Sequence, residues 1–302
     1  MATRTRSGFA KEIPVESLFG NYVAPEKIVL AGMKGLETEL NQFFKAELET
    51  RNQLERNTGI LRDTLTTAFT NNDKSVNAIK RLKEMDKMNS RVKPPAPKLL
   101  REEQRIFTGS IAATVVPPFN YEWTWNAGSG GPDHLDVMAN RLTGRMSFFA
   151  HTNPDHSSSG SVRTALGIYF RPVTSNGILR VSANPAINFN WWDYCAFASA
   201  HTDGFIGLYI GRYNLSGGFD AAPVSQQVRL WNDSSWWSGG DGRGSNSGYG
   251  LSAQLNVDRS HWYAIWVWCG GNVSAEGWHT FSGSGAGASM SVAVPSITWE
   301  LF

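Results

Sequence analysis

The sequence contains only two cysteines, Cys195 and Cys269, and each lies in an aromatic, apolar stretch. This excludes a framework of several disulfides, and we expect two buried thiols, with a single disulfide as the alternative. The apolar run Trp262–Cys269 has eight residues, far fewer than the roughly 20 that span a bilayer. The N-terminus lacks the apolar core of a secretory signal. We therefore expect synthesis in the cytoplasm, and release only by lysis, inside a particle or through a dedicated machine.

Lysine is absent after Lys98, and tryptophan is absent before Trp123, although the chain has 302 residues and 12 tryptophans. The net charge is +5 up to Arg105 and −3 beyond it. This division predicts a solvated helical region followed by a domain of short strands and turns. Because the second region carries no excess positive charge, we expect neither nucleic acid nor anionic lipid as its partner.

Proline is absent between Pro25 and Pro94, and good helix formers dominate there, which predicts a helical segment over residues 25–91 after an irregular arm at 1–24. A heptad register places apolar residues at nine core positions and polar residues at the others, which favours a long coiled-coil stalk. The apolar positions are Met33, Leu40, Phe44, Leu54, Leu61, Leu65, Ala68, Ile79 and Leu82. The alternative is a folded-back hairpin or bundle, in which Gly59 ends one helix and Asp73 caps the next.

A proline-rich linker at 92–106 separates the helical segment from a domain at 107–302. Its clustered prolines favour a semi-rigid spacer. The following residues alternate between short β-branched or aromatic segments and Gly/Ser turn clusters, giving ten to twelve candidate strands. This pattern predicts an antiparallel β-sandwich of jelly-roll type, with a barrel as the alternative.

The segment Trp262–Cys269 is apolar on both faces of its predicted strand. Trp262, Trp266 and Trp268 share one face by parity, while Tyr263 and Cys269 share the other. A central strand of this kind packs against the opposite sheet on one side only. Its other face needs a second cover, which could be a loop, another subunit or a ligand.

Two Trp-Trp pairs give the candidate ligand-binding residues. Trp236-Trp237 lies in a turn-rich stretch beside Asn, Asp and Ser, where flat rings can stack on sugars and polar groups can bond their hydroxyls. In the second pair, Trp191 is expected to face with Cys195 and Phe197, and Trp192 to face the opposite side. The predicted contact surface is Trp236, Trp237, Asp233, Asp241 and Tyr249, with Trp192 and Tyr194 as a second patch.

Motifs for catalysis and metal binding are not found in the sequence. The Asp and His residues of the loops lack zinc-finger, EF-hand or HExxH spacing, and His201-Thr-Asp-Gly204 is predicted to be a turn. No cofactor is expected, and a structural calcium in a loop stays open. A glycosidase would need two carboxylates at a defined separation, which no pair here marks. Since a nucleophile-elbow motif is also absent, we expect a non-enzymatic protein.

The order of helical segment, proline hinge and Trp-rich sandwich resembles the receptor-binding fibres of phage-like particles and lectin-like adhesins. The resemblance covers architecture alone and no family motif. It implies a homo-oligomer, such as a trimer, whose N-terminal arm joins a larger assembly and whose head loops bind a surface glycan or receptor. The alternatives are a structural or assembly protein whose aromatic faces are protomer interfaces, a pore-forming toxin and a glycoside hydrolase.

Overall fold

A computed structural model describes residues 24–69, 73–89, 111–172, 176–237, 239–278 and 282–302. Two helices precede fifteen strands in this part of the chain. The helices are α1 (Glu26–Phe69) and α2 (Asp73–Asn89). The strands are β1 (Ile111–Val115), β2 (Tyr121–Ser129), β3 (His134–Asn140), β4 (Arg145–His151), β5 (Ser158–Phe170), β6 (Asn176–Ala183), β7 (Ala186–Ala196), β8 (Ala200–Asn214), β9 (Phe219–Ser235), β10 (Gly240–Asn246), β11 (Leu251–Asp258), β12 (His261–Ala275), β13 (Gly277–Trp278), β14 (Gly283–Ala293) and β15 (Ile297–Leu301).

The strands form three antiparallel sheets around one core. The front sheet has the order β2-β5-β12-β8-β9, and the back sheet has the order β10-β7-β14-β4-β3, with β13 paired to β14. A side sheet of order β1-β15-β6-β11 adds to the same core. Ile265 of the front sheet and Met290 of the back sheet are both buried between the layers. The predicted antiparallel sandwich is therefore confirmed, while its jelly-roll assignment stays a prediction.

Helix α1 covers the outer face of the front sheet. Its residues Ile28, Leu36, Leu40 and Phe44 are buried in one cluster with the tyrosines and tryptophans of that face, including Trp266. Full burial of an apolar side chain of this size contributes about 1.5–3 kcal/mol each. The second cover that the two-faced strand β12 requires is thus the chain's own N-terminal helix.

Helix α2 packs on the outer face of the back sheet. Leu82 contacts an aromatic cluster of that sheet that includes Phe149, Trp192 and Trp278. Asp86, one turn further along the helix, is fully buried in the same place. Each helix therefore covers a different outer face of the sandwich, and neither described helix carries an apolar stretch of membrane-spanning length.

The helical prediction is confirmed in part. The helix begins within one residue of Pro25, and the second helix begins at Asp73 as expected, but Gly59 as a helix end is wrong because α1 continues to Phe69. Two predicted heptad positions, Leu40 and Phe44, are buried against the front sheet. The side chains of Leu54, Leu61 and Leu65, the arm before Ala24 and the linker at 92–106 lie outside the described residues. The coiled coil stays a prediction.

Several glycine-rich segments that the sequence predicts as turns are strands. β10, with the sequence Gly-Asp-Gly-Arg-Gly-Ser-Asn, pairs along its whole length with β7. The predicted turn His201-Thr-Asp-Gly204 is wrong too, because these residues continue β8 between β9 and β12. Sequence reasoning failed here because Gly and Asp are rare in strands unless a neighbouring side chain covers them.

We predict that Leu36→Ala destabilises the protein much more than Leu30→Ala. Leu36 of α1 is fully buried against the front sheet, whereas Leu30 on the same helix is 59% exposed. The buried truncation should lower the free energy of unfolding by about 2–5 kcal/mol, and the exposed one by about 0.5 kcal/mol or less. Urea unfolding of the full chain measures both. Equal effects would contradict the docking of α1 on the front sheet.

Candidate functional site

The outer face of the front sheet changes from apolar to polar along its strands. On β12, Trp262, Trp266 and Trp268 lie under α1, and the same face continues with Asn272 and Ser274 by the alternation of side chains. The neighbouring β8 changes in the same way, from tyrosines under α1 to Asp203 and His201. The polar end of this face is where a ligand could meet hydrogen-bonding groups.

Strand pairing aligns these polar residues in two rows across the sheet. One row runs Ser161, Asn272, Asp203 and Asn232, on β5, β12, β8 and β9. The next row runs Ser159, Ser274, His201 and Ser234 on the same strands. Side chains directly opposite each other in an antiparallel pair are close enough to interact. The rows therefore form a continuous polar floor.

Asp203 organises this floor through hydrogen bonds. Its Oδ1 accepts the backbone N–H of Asn272 at 2.8 Å and the side-chain amide of Asn272 at 2.9 Å. Nε2 of His201 lies 3.1 Å from Asp203 Oδ2, and Nδ1 of the same ring lies 2.7 Å from Ser234 Oγ. Asp203 and His201 are buried, whereas Asn232 and Ser234 are exposed. The buried His201 thus holds the exposed Ser234 in place, and Asp203 holds Asn272, which is how a binding surface is preorganised.

Arg163 of β5 forms a charged wall at one side of the floor. Its guanidinium carbon lies 4.2 Å from the ring centre of Phe44 and 4.1 Å from that of Trp125. It donates hydrogen bonds to Asn41 of α1 and, at 3.1 Å, to Ser161. Burial lowers the pKa of Arg163 to about 9, although the negative charges of Asp203 and Glu37 act to raise this pKa. The side chain is therefore still a cation at neutral pH, held between two aromatic rings.

The floor, Arg163 and α1 enclose a groove of about 460 Å³. From α1, Phe44, Lys45 and Leu48 line it, and an ion pair between Glu47 and Arg229 closes the side next to β9. This volume lies within the range of small-molecule sites, and the lining combines an apolar wall with a few convergent polar groups. The arrangement can hold a neutral polar ligand by hydrogen bonds and an apolar contact with Leu48.

The predicted Trp236-Trp237 site lies in the connection between β9 of the front sheet and β10 of the back sheet. Both residues directly follow the end of β9, two and three positions after Ser234. Trp237 is 46% exposed, and its ring centre lies 4.5 Å from that of Phe197 in an edge-to-face contact and 6.4 Å from that of Trp236. Phe197 belongs to the aromatic cluster under α2. Trp237 therefore packs toward the back sheet and does not line the groove.

Asp233, Asp241 and Tyr249 are divided among different surroundings. Asp233 pairs with Thr202 and so faces away from the groove floor, and Asp241 is exposed on β10 opposite Trp192. Tyr249 is partly buried against the core, and its N–H donates to the carbonyl of Pro185 at the start of β7. Tyr249 and Asp241 therefore lie at opposite ends of the β7–β10 strand pair. At about 3.4 Å per residue, roughly 20 Å separate them.

The predicted second patch is not an open surface in this structure. Trp192 is 2% exposed and Tyr194 is 7% exposed, because α2 lies over both. The predicted alternation holds for Trp191 and Cys195, which face the core. It is wrong for Phe197, which joins the aromatic cluster under α2 because its left-handed backbone (φ 53°) interrupts the alternation.

Sequence reasoning missed Arg163 and Asn272. If the alternation of side chains in Trp262–Cys269 is continued for three more residues, Asn272 lies on the same face as Trp268. This alternation could have identified Asn272 from the sequence. Arg163 had no comparable signal, because its aromatic partners come from a helix and from a separate strand. The cysteine prediction is confirmed, since Cys195 and Cys269 are both buried thiols that form no disulfide, and burial raises the pKa of each thiol.

A buried carboxyl adjoins the loop of Trp236 and Trp237. Asp193 is fully buried and accepts the N–H of Gly240 at 2.8 Å. Burial, together with the charge of Asp233, raises the pKa of Asp193 to about 7. Between roughly pH 4 and 7 the folded protein therefore keeps a proton that the unfolded chain has lost. The contribution of Asp193 to the free energy of unfolding is therefore greatest below about pH 4, and it decreases as the pH rises from about 4 to about 7.

We predict that Asp193→Asn removes this loss of stability with rising pH. Because asparagine does not titrate, the variant should gain stability relative to the wild type, on the order of 2 kcal/mol, between pH 4 and pH 8. Thermal unfolding at a series of pH values measures the difference. Asp241→Asn removes an exposed carboxylate from the adjacent strand and is the control. The same pH slope in both variants would contradict the assignment to Asp193.

Comparisons with known proteins assign no family. No family model and no curated protein matches the chain. Among solved structures, TmCBM61 in complex with β-1,4-galactotriose is 12% identical, with coverage of 59% of this chain and 87% of that one and a TM-score of 0.19. The isomalto-dextranase of Arthrobacter globiformis T6 complexed with panose is 11% identical over 63% of this chain and 35% of its own, with a TM-score of 0.14. A GH31 α-xylosidase from Xanthomonas citri is 8% identical over 63% and 22%, with a TM-score of 0.12. TM-scores this low carry no argument about function.

Proposed function

We propose that this protein binds a glycan in the groove between α1 and the front sheet, without catalysing a reaction on it. The observation that carries the proposal is the preorganised polar floor beside the exposed apolar side chain of Leu48. A sugar hydroxyl both donates and accepts hydrogen bonds, and the amide of Asn232 and the hydroxyl of Ser234 can do the same. A sugar ring also has apolar C–H faces, which suit an apolar wall.

Trp237 offers a second contact surface outside the groove. Its ring is 46% exposed and follows the end of β9 by two residues. A flat indole loses little entropy on contact and offers a large area for stacking. We propose that one sugar unit occupies the groove and that a more distant unit of a longer chain contacts Trp237.

We predict that Asn232→Ala combined with Ser234→Ala lowers glycan affinity by about 5-fold to 150-fold. Each lost hydrogen bond contributes about 0.5–1.5 kcal/mol, and about 1.4 kcal/mol is a factor of ten. Glycan-array screening of the wild type identifies the ligand, and titration calorimetry then compares the variants. Trp237→Ala should lower the affinity for oligosaccharides more than for monosaccharides.

Asn256→Ala is the matched control for this experiment. Asn256 is an exposed asparagine on β11 of the side sheet, away from the groove, and its loss should leave affinity unchanged. An equal loss in the control and the groove variant, or a wild type that binds no glycan, would contradict the proposal. The second outcome would favour an assembly protein whose aromatic surfaces meet other protomers.

Ester hydrolysis is a second candidate because Ser234, His201 and Asp203 are connected by hydrogen bonds. In the acyl-transfer step of serine hydrolases, the serine oxygen attacks the ester carbonyl, and histidine takes its proton and returns it to the leaving alcohol. Water then releases the acid and regenerates serine. In those enzymes Nε2 of the histidine faces the serine and Nδ1 faces the aspartate. In this protein Nδ1 of His201 faces Ser234, and Nε2 faces Asp203. Ser234 also lies within β9 and not on a strand-to-helix elbow, so binding stays the first candidate.

Hydrolysis of p-nitrophenyl acetate separates the two functions. Under the binding proposal, the wild type and Ser234→Ala release p-nitrophenol at the same rate, equal to that of a protein-free blank. A wild-type rate well above the blank that Ser234→Ala abolishes would replace binding by esterase activity. The binding measurements on the same Ser234 variant then show whether the substrate occupies the groove.

The oligomeric stalk and the assembly into a fibre belong to the same proposal. Several heads on one stalk would multiply a weak single-site affinity. The apolar residues of α1 between Ile28 and Phe44 contact the front sheet, so a coiled coil would have to use the part of α1 beyond them. We propose that the groove is the receptor-facing surface in such an assembly.

A further inference from the structure

Helix α2 is attached to the back sheet through a buried carboxylate. Asp86 is fully buried, and the indole N–H groups of Trp192 and Trp278 donate to its two oxygens at 3.3 and 3.4 Å. Nε2 of His151 lies 3.2 Å from Asp86 Oδ1. Three nitrogen groups therefore converge on one carboxylate in an apolar surrounding, where a carboxylate without partners would be costly.

The sheet alone forms this pocket. His151 is on β4, Trp192 on β7 and Trp278 on β13, so the three nitrogen groups are positioned by strand pairing and not by the helix. Gly285 of β14 leaves the space for the carboxylate, since a Cβ atom there would lie 1.9 Å from Asp86 Oδ2. Without α2, the back sheet would present a preformed receptor for a carboxylate group.

An aromatic platform adjoins the carboxylate pocket. Trp192 lies flat on the sheet, because its ring crosses the position that a Cβ atom of its strand partner Gly287 would occupy, at 2.1 Å. Its indole N–H points to Asp86 of α2. A flat aromatic ring beside a pocket of nitrogen groups is suited to a sugar ring that carries a carboxylate.

The other described side chains of α2 are less buried than Asp86. Leu82 is only partly buried against the aromatic cluster. Lys83 pairs with Asp155 at 3.1 Å, but this pair lies at the surface, where it contributes about 1 kcal/mol or less. Met85 and Met88 are exposed. Among the described side chains of α2, Asp86 therefore makes the most deeply buried contact with the back sheet.

We propose that this pocket binds the carboxylate of an acidic sugar, such as a hexuronate, and that Asp86 occupies it as an intramolecular ligand until the sugar displaces α2. The two carboxylates compete for the same His151, Trp192 and Trp278 groups, and the sugar ring adds contact with Trp192. This site lies on the face of the sandwich opposite the groove, so its test does not depend on glycan binding there.

Full-length Asp86→Ala should be stabilised by small carboxylates. We expect sodium acetate and sodium galacturonate, at constant ionic strength, to raise its Tm by about 3 °C at a concentration ten times the Kd. Galacturonate should act at lower concentration than acetate because its ring contacts Trp192. Galactose, which lacks the carboxylate, should have no effect. The wild type should respond little, because Asp86 fills its pocket.

Glu84→Ala, an exposed position on the same helix, is the matched control and should respond like the wild type. A folded Asp86→Ala with no response to either carboxylate would overturn the proposal, and a response to acetate without one to galacturonate would overturn the sugar assignment. If Asp86→Ala does not fold, hydrogen exchange of the wild type decides. Galacturonate should then speed exchange of the α2 amides relative to galactose, and equal rates would overturn the proposal.

Discussion

The structure depends on burying large aromatic rings on both faces of its central strands. β12 carries Tyr263 on the core face and Trp266 and Trp268 on the outer face, and all three are buried. A two-layer sandwich removes only one of these faces from water. The second face requires a third layer, and the chain supplies it with α1. Two glycines of α1 allow its close approach, since a Cβ atom at Gly32 would collide with the hydroxyl of Tyr169.

Glycines inside the strands make this layering sterically feasible. Five tryptophans lie directly opposite a glycine of a neighbouring strand, and in each pair a Cβ atom on the glycine would collide with the indole. The pairs are Trp191–Gly242, Trp192–Gly287, Trp231–Gly204, Trp266–Gly167 and Trp268–Gly207. The ring lies flat over the bare backbone and replaces the side chain that glycine lacks. Gly and Trp are therefore enriched together for one structural reason.

This pairing explains which parts of the fold and the site could be predicted from sequence. Alternation within one strand correctly placed Trp266 and Cys269 on opposite faces, because it needs no knowledge of the neighbouring strand. β10 and the segment at His201 were missed, because their glycines and aspartates suit a strand only opposite particular partners. The groove was missed for the same reason: Asp203 and Asn272 are 69 residues apart and meet only through strand register. The exposed Trp237 could be found, because its loop composition is local.

Both helices cover an outer face of the sandwich, but they are attached by different kinds of contact. α1 is fixed by a row of buried apolar side chains ending at Phe44, and the groove begins where that row meets the polar floor. A rigid wall is what a preorganised binding site requires. Among the described side chains of α2, the most deeply buried is Asp86, whose partners are polar groups that another carboxylate could also satisfy. A ligand with greater affinity for the uncovered state shifts such a cover off its face, so the proposed masked site and the proposed groove would lie on opposite faces of the same sandwich.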